Sequence, residues 1–492
     1  MKKHAIAAIL TAAICIPVSA SAWFGAGDMD YDGEVNAFDL AIMKREYYRE
    51  KDDFESPDDF PMEADVNEND AFNAYDVSQM QDFLLGRISN FSDSTLAVSE
   101  QLNAPAALQS GEAVDEVFTA AQMEFAADLF RNTAQNDKNT LISPLSVSIA
   151  LSMAANGADT QTLSEMEAVL GGSMDKINSC MAYYLNDRNE NAGSRVNIAN
   201  SIWFREDESL TVHQDFLDAN SHYYDAQIFA TPFDDNTVKD INSWVKNRTD
   251  GMIPKLVDEL KKENMMLLIN AITFDARWDE TYDEYQVEEG TFTAADGTEQ
   301  KAEMMHGTEG YYYEFDNAVG FCKYYDSYDY RFVAILPDED MSVSEWIAQM
   351  DAQAVLAELD EPDREYDVIT QIPKFSYETD LTLNDALKAM GMPTAFDMFG
   401  ADFSRMAEYR ADLFGMGEES YSLHIGDVLH KTSIDLNEDG TRASAVTAIQ
   451  MDAPTCAPDP QYKYVTLDRP FVYMIVDNDN IPLFMGTVQS ME

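Results

Sequence analysis

Two short acidic segments and one run of small residues carry the side chains best suited to chemistry in this 492-residue chain. The first segment, DMDYDGEVNAFD, places Asp28, Asp30 and Asp32 at alternate positions, Gly33 next, then Glu34 and Asn36, with Asp39 in the twelfth place. Calcium takes six to eight oxygens. Alternate side chains of a tight turn supply three, the Glu34 carbonyl a fourth, Asn36 another directly or through water, and Asp39 the last from an exit helix. Gly33 permits the sharp bend that aims these oxygens inward. The same register recurs as DVNENDAFNAYD, with Asp65, Asn67, Asn69, Asn73 and Asp76. There Asp70 replaces the glycine and neutral amides replace carboxylates, so weaker binding is expected. A lone acidic loop is often only a solvated turn; two in matching register, each followed by one helix-like run, point to a pair of Ca2+ sites.

The second stretch, KTSIDLNEDGTRASAVTAIQMDAPTCAP, begins at Lys431. TSIDL alternates like a strand and NEDG turns. TRASAVTAIQ then offers a ten-residue run of mostly small or β-branched side chains with a single charge, which has strand propensity and little bulk. Taken alone it reads as a strand and hairpin. Rival chemistry is hard to find. Carboxylates are too abundant to single out a glycosidase-like pair, the six histidines have no metal-ligand spacing, and no Gly-rich phosphate loop is present.

The elements that must hold these segments fall into three regions. Hydrophobic residues make up 46% of the chain, enough for a large core, and the length implies two or more domains. Lys2 and Lys3, an apolar run from Ala5 to Val18, and Ala20-Ser21-Ala22 read as an export signal over 1–22, with a run too short to span a bilayer. Loop-helix units occupy 25–88, a Ser/Ala/acid-rich linker is expected over 89–117, and helical and strand-like patterns alternate over 118–490. The net charge of −58 disfavours nucleic acid and anionic membranes as partners. Beyond Cys15 in the signal, Cys180, Cys322 and Cys456 are too few and too scattered for a disulfide framework and read as isolated thiols.

The duplicated loop-helix unit resembles a dockerin, the module that docks into cohesin domains of a scaffoldin. The resemblance assigns cohesin contact to Ala37, Phe38, Ala74 and Tyr75, pairs more apolar than the Ser/Thr pairs of many dockerins. The segment from Glu438 resembles the hinge of inhibitory serpins: Glu438, Asp439, Gly440, Thr441, one variable residue (Arg442), then Ala443, Ser444, Ala445 and Val446. Other stretches resemble the same family. NTLISPLSVSIALSMAANGA carries Ser143 and Ser146, INAITFDARW carries Asn270 and Trp278, IPKFSYE carries Lys374, and His430 stands eight residues before Glu438. The resemblance implies an α+β serpin fold, with a large central mixed sheet A, smaller sheets and about nine helices, preceded by a small α-helical dockerin.

It also implies roles. Thr441, Ala443, Ala445 and Thr447 would face inward when the loop enters the sheet. Ser143, Ser146, Asn270 and His430 would form a hydrogen-bonded shutter, Trp278 would mark the breach, and Lys374 would pair with Glu438. The activity implied is that of a secreted, non-enzymatic suicide inhibitor of serine-type proteases, acting as a monomer and held outside the cell on a scaffold. The alternative is a non-inhibitory serpin, cleaved without trapping. The family count places the attacked bond at Pro454-Thr455, where proline is a poor residue to cut after. Thr455-Cys456 is preferred and would suit an elastase- or subtilisin-like enzyme.

Overall fold

A computed structural model of the chain describes residues 108–190, 195–249, 251–261, 264–326, 328–410, 422–441 and 461–491, together with 99–102 and positions 39, 40, 42, 80 and 96. These hold nine helices and nineteen strands. The helices are α1 (Glu116–Thr133), α2 (Pro144–Ala155), α3 (Thr160–Leu170), α4 (Met174–Glu190), α5 (Gln214–Tyr224), α6 (Asp235–Arg248), α7 (Val343–Gln349), α8 (Ala352–Asp360) and α9 (Asn384–Met390). No helix among the described residues is long and apolar enough to cross a membrane.

The largest sheet has seven strands in the order β1 (Glu100–Gln101), β5 (Gln227–Thr231), β3 (Arg195–Arg205), β6 (Met266–Arg277), β16 (Gly440–Thr441), β15 (Leu429–Leu436) and β13 (Phe375–Thr382). A six-stranded sheet runs β2 (Thr140–Ile142), β19 (Pro482–Val488), β18 (Phe471–Asp477), β11 (Tyr330–Pro337), β10 (Ala318–Tyr324), β9 (Tyr312–Phe315). A four-stranded sheet runs β17 (Gln461–Thr466), β12 (Tyr366–Pro373), β8 (Glu299–Glu309), β7 (Val287–Thr293). The pair β14 (Ala407–Tyr409) and β4 (Leu210–Val212) completes the set.

Sequence pattern decides each strand's place. YRFVAILP and FVYMIVD are nearly unbroken apolar runs, and every residue of β11 and β18 is buried. FSYETDLT in β13 is buried at Phe375 and Thr379 and exposed at Ser376, Glu378 and Asp380, which suits an edge strand. Helix α2 is apolar nearly all round and buries eleven of its twelve residues, so it lies inside the molecule. Ser143 caps it and Pro144 opens its first turn, where a missing N–H costs nothing. Helix α6 is amphipathic, begins in an Asp234/Thr237 capping box, and lays Ile241, Trp244 and Val245 on the sheet. Cys180 and Cys322 are buried free thiols.

The stretch expected to be a linker is partly docked. Glu100 and Gln101 pair with Ala230 and Phe229 at the edge of the large sheet, and the Leu102 N–H donates to the Ile228 carbonyl at 2.8 Å. Ser99 Oγ donates to Asp240 on α6 at 2.7 Å. Leu96 is 7% exposed and joins Trp203, Phe229, Trp244 and Val245 in a cluster distinct from the main core. One leucine reaching an aromatic pocket is enough to anchor a segment that has no periodicity of its own.

Candidate functional site

The segment expected to act as the hinge is a tight turn from Asn437 to Gly440, joining β15 to β16. The Asn437 N–H donates to the Gly440 carbonyl at 2.9 Å, and Asn437 Oδ1 accepts the Asp439 N–H at 3.0 Å. Gly440 has φ +154°, and a Cβ there would lie 2.2 Å from the Ala276 carbonyl oxygen, so no other residue fits. Gly440 pairs with Arg277 and Thr441 with Ala276 on β6, while Thr441 also faces Leu436 on β15. Two residues of the loop thus stand as a strand between β6 and β15. Past Thr441 no ladder joins β6 to β15 among the described residues. A cleft follows that seam, lined by Ile272 and Phe274 from β6, Thr432 and Ile434 from β15, Thr441 above, and Leu141 and Phe484 behind.

The segment after β6 grips the turn from outside. The Trp278 N–H donates to the Asp439 carbonyl at 3.0 Å, Trp278 Nε1–H to the Asn437 carbonyl at 2.9 Å, and the Tyr282 N–H to the Glu438 carbonyl at 3.0 Å. Trp278 stacks on Tyr325 with ring centroids 4.5 Å apart, and the Tyr325 hydroxyl meets Thr441 Oγ1 at 2.7 Å. Lys374 lies 2.7 Å from Glu438 and 3.7 Å from Glu303. The Lys374 hydrogen bond holds the Glu438 carboxyl below the usual glutamate range, against some desolvation. Because Glu438 is 38% exposed, that pair is worth less than ~1 kcal/mol.

Beneath the grip lies a group the sequence reading missed. Lys323 and Glu309 form a buried ion pair at 2.9 Å, with the ammonium 4.7 Å from the Tyr282 ring centre and 5.7 Å from that of Trp278. Burial pushes the Glu309 carboxyl upward, and Lys323 opposes the shift. With 90 acidic residues in the chain, nothing in the sequence marks Glu309 as buried.

The shutter residues divide. The Ser143 N–H donates to His430 Nε2 at 2.9 Å, which puts the ring proton on Nδ1; Ser143 Oγ donates to the Leu483 carbonyl at 2.7 Å and accepts the Ser146 N–H at 3.4 Å. The head of α2 is thereby tied to β15 and β19. Thr432 Oγ1 adds a bond to the Leu141 carbonyl at 2.8 Å. Burial lowers the His430 pKa to about 4, so the ring is neutral and can accept. Asn270 does not join this cluster. It sits on β6, across the seam, and donates to Asn200 Oδ1 at 2.7 Å, while Asn200 donates to the Tyr224 carbonyl. Among the described residues Asn270 Oδ1 is buried with no hydrogen-bond partner.

Several expected positions lie outside the described residues: Ala443, Ala445, Thr447, Pro454, Thr455 and Cys456 of the loop, the calcium-loop residues except Asp39, and Ala37, Phe38, Ala74 and Tyr75. Asp39 is helical and fully buried. The donors proposed for both loops are all oxygens, a set that fits a hard cation such as Ca2+.

Residues 120–491 match the family model described as serpin (serine protease inhibitor), and residues 26–85 match that of the dockerin type I domain. The chain belongs to the serpin family and carries a type I dockerin domain ahead of its serpin domain. A solved structure of a thermophilic serpin, Tengpin, in the native state superposes with a TM-score of 0.72 at 40% identity, covering 79% of this chain and 99% of that one. An uncharacterized serpin-like protein of Thermococcus kodakarensis is 30% identical, covering 74% of this chain and 84% of its own. Leukocyte elastase inhibitor of Equus caballus is 27% identical, covering 76% of this chain and all of its own.

Proposed function

We propose that the chain is an exported suicide inhibitor of a serine-type protease, tethered through its dockerin to a cohesin-bearing scaffold outside the cell. One observation supports this reading above the others. Gly440 and Thr441 already stand between β6 and β15, at the head of a seam that has no ladder below them among the described residues. The residues that follow, Ala443, Ala445 and Thr447 on the inward parity, are small enough to enter that seam in turn.

The chemistry belongs to the attacking enzyme. Its serine oxygen adds to the Thr455 carbonyl carbon, the amide bond to Cys456 breaks, and the nitrogen leaves with a proton. Thr455 is then held as an ester on the protease. Insertion of the freed segment from Arg442 onward carries the ester away before water hydrolyses it, driven by strain stored in the sheet. The hydrogen bonds of Trp278 and Tyr282 fix where insertion starts, and Ser143 with His430 fixes what must part beneath it. A small-pocketed, elastase- or subtilisin-like target suits Thr455, in line with the horse relative's name.

At the other end, Asp28, Asp30, Asp32, Glu34, Asn36 and Asp39, and Asp65, Asn67, Asn69, Asn73 and Asp76, would hold two Ca2+ ions. A bound hard cation would supply charge neutralisation to those loops, and Ala37, Phe38, Ala74 and Tyr75 would make the cohesin contact. The test is to mix the protein lacking residues 1–22 with an elastase and a subtilisin and run denaturing gels. A boiling-resistant band of summed mass, with the released peptide beginning at Cys456, is expected. Complete cleavage with no such band, and no rise in thermal midpoint, would make the chain a substrate that does not trap.

A further inference from the structure

The first strand after the loop is a sheet edge that carries two exposed tyrosines. Strand β17 is the outermost of the four-stranded sheet and pairs in parallel with β12. Edge strands are usually guarded by charge, lysine above all, either on the open edge or as a charged side chain turned inward. Here Lys463 turns inward, with its ammonium 4.6 Å from the Tyr312 ring centre and 4.8 Å from that of Tyr366. The outward positions on either side are tyrosines: Tyr462 is 53% exposed and Tyr464 is 73% exposed. In register beside them stand Asp367 and the half-buried Ile369. The inward lysine guards the edge against strand pairing, and the outward face is left to two aromatics.

Tyrosine offers a large, stiff contact area with a polar tip, and it is enriched among residues that dominate binding energy. The position of β17 selects the occupant. Gln461 ends the loop, five residues after Cys456, so even a fully extended chain sets the attacked bond within ~18 Å of β17. An enzyme closing on that bond brings its leaving-group side against Tyr462 and Tyr464. We infer that the outer face of β17 is a second contact surface for the target protease, one that fits an enzyme whose rim on that side offers apolar pockets flanked by basic residues. Asp367 and the chain's net charge of −58 supply the complementary sign. This rests on the inhibitor reading.

The contact has a kinetic signature. Cleavage separates Cys456 and everything after it from the acyl-enzyme, and insertion carries the protease away from β17. The surface therefore acts on encounter and not on the trapped complex. In the protein lacking residues 1–22, Tyr462→Ser/Tyr464→Ser should slow the second-order rate of inhibition of elastase or subtilisin by about 30-fold. Stoichiometry of inhibition and thermal midpoint should stay unchanged, Tyr462→Phe/Tyr464→Phe should keep most of the rate, and added salt should slow the parent protein. Equal rates for parent and double-serine proteins with both enzymes would overturn the surface while leaving the inhibitor intact. Absence of any boiling-resistant complex with the parent would overturn both. A concentration-dependent dimer that the serine variant abolishes would assign the face to a second copy of the chain and overturn the proposal as well.

Discussion

His430 makes the stability of the serpin domain fall on mild acidification, by an amount its surroundings set. The ring is buried, no carboxylate among the described residues is hydrogen-bonded to it, and Nε2 accepts the Ser143 N–H, so protonation would set two donors face to face. Its pKa is about 4 in the folded chain, against about 6.5 when unfolded. Above pH 6.5 the ring is neutral in both states and contributes no pH dependence. As pH falls from 6.5 towards 4 the unfolded chain takes up the proton first, and stability is lost; below pH 4 both states are protonated and the loss levels off. Between pH 7.5 and 4.5 this amounts to roughly 2–3 kcal/mol, a fall of about 3 °C in thermal midpoint for a domain of this size. Many carboxylates titrate in the same range, so the quantity to measure is a difference. Unfolding of the parent and of His430→Gln should be followed at both pH values. The glutamine variant, which can still accept the Ser143 N–H, should lose less stability by that margin. Equal losses in the two proteins would show that His430 is not a buried neutral acceptor, and the account of the shutter would fall with it.

Lys323→Met strands Glu309 in the interior and should cost about 3–5 kcal/mol, whereas Lys323→Met with Glu309→Leu should regain most of it; chemical denaturation of both proteins checks this. Gly440→Ala cannot be placed without moving β6, so trapping should give way to plain cleavage, read as a rise in the stoichiometry of inhibition. Thr441→Arg should do the same by forcing a charge against Tyr325, and a normal covalent band from either variant would refute the hinge geometry. Chelating calcium should abolish binding to an immobilised cohesin without altering protease trapping; loss of both together would mean that the two modules do not act separately.

What the sequence reveals depends on how local each constraint is. The hinge is legible only through its resemblance, because the run of small residues taken alone reads as a strand and hairpin; in the structure Gly440 and Thr441 form a two-residue strand between β6 and β15. The core strands are plain, since YRFVAILP and FVYMIVD leave little choice but burial. Asn270 is harder. Its residue type suggests a polar cluster, but which cluster depends on the side of a seam to which β6 belongs, and Asn200 stands directly opposite it. The Lys323–Glu309 pair is invisible for a different reason. Its meaning comes from the two rings above it, which lie 45 and 41 residues away along the chain. Leu96 shows the same limit, being one apolar residue in a Ser/Ala-rich stretch and recognisable only beside Trp203 and Trp244.

That docked leucine also sets a distance. The dockerin match ends at residue 85 and the body of the serpin domain begins, in effect, at Leu96, so eleven residue steps join them. At full extension this tether reaches only ~38 Å, about the width of one domain. A linker counted out to α1 would have allowed nearly three times the radius. Short tethers of this length hold a partner at millimolar local concentration. On the tethered-inhibitor reading proposed above, the serpin domain would act within that radius of its docking point, where proximity counts as much as how fast its loop reacts.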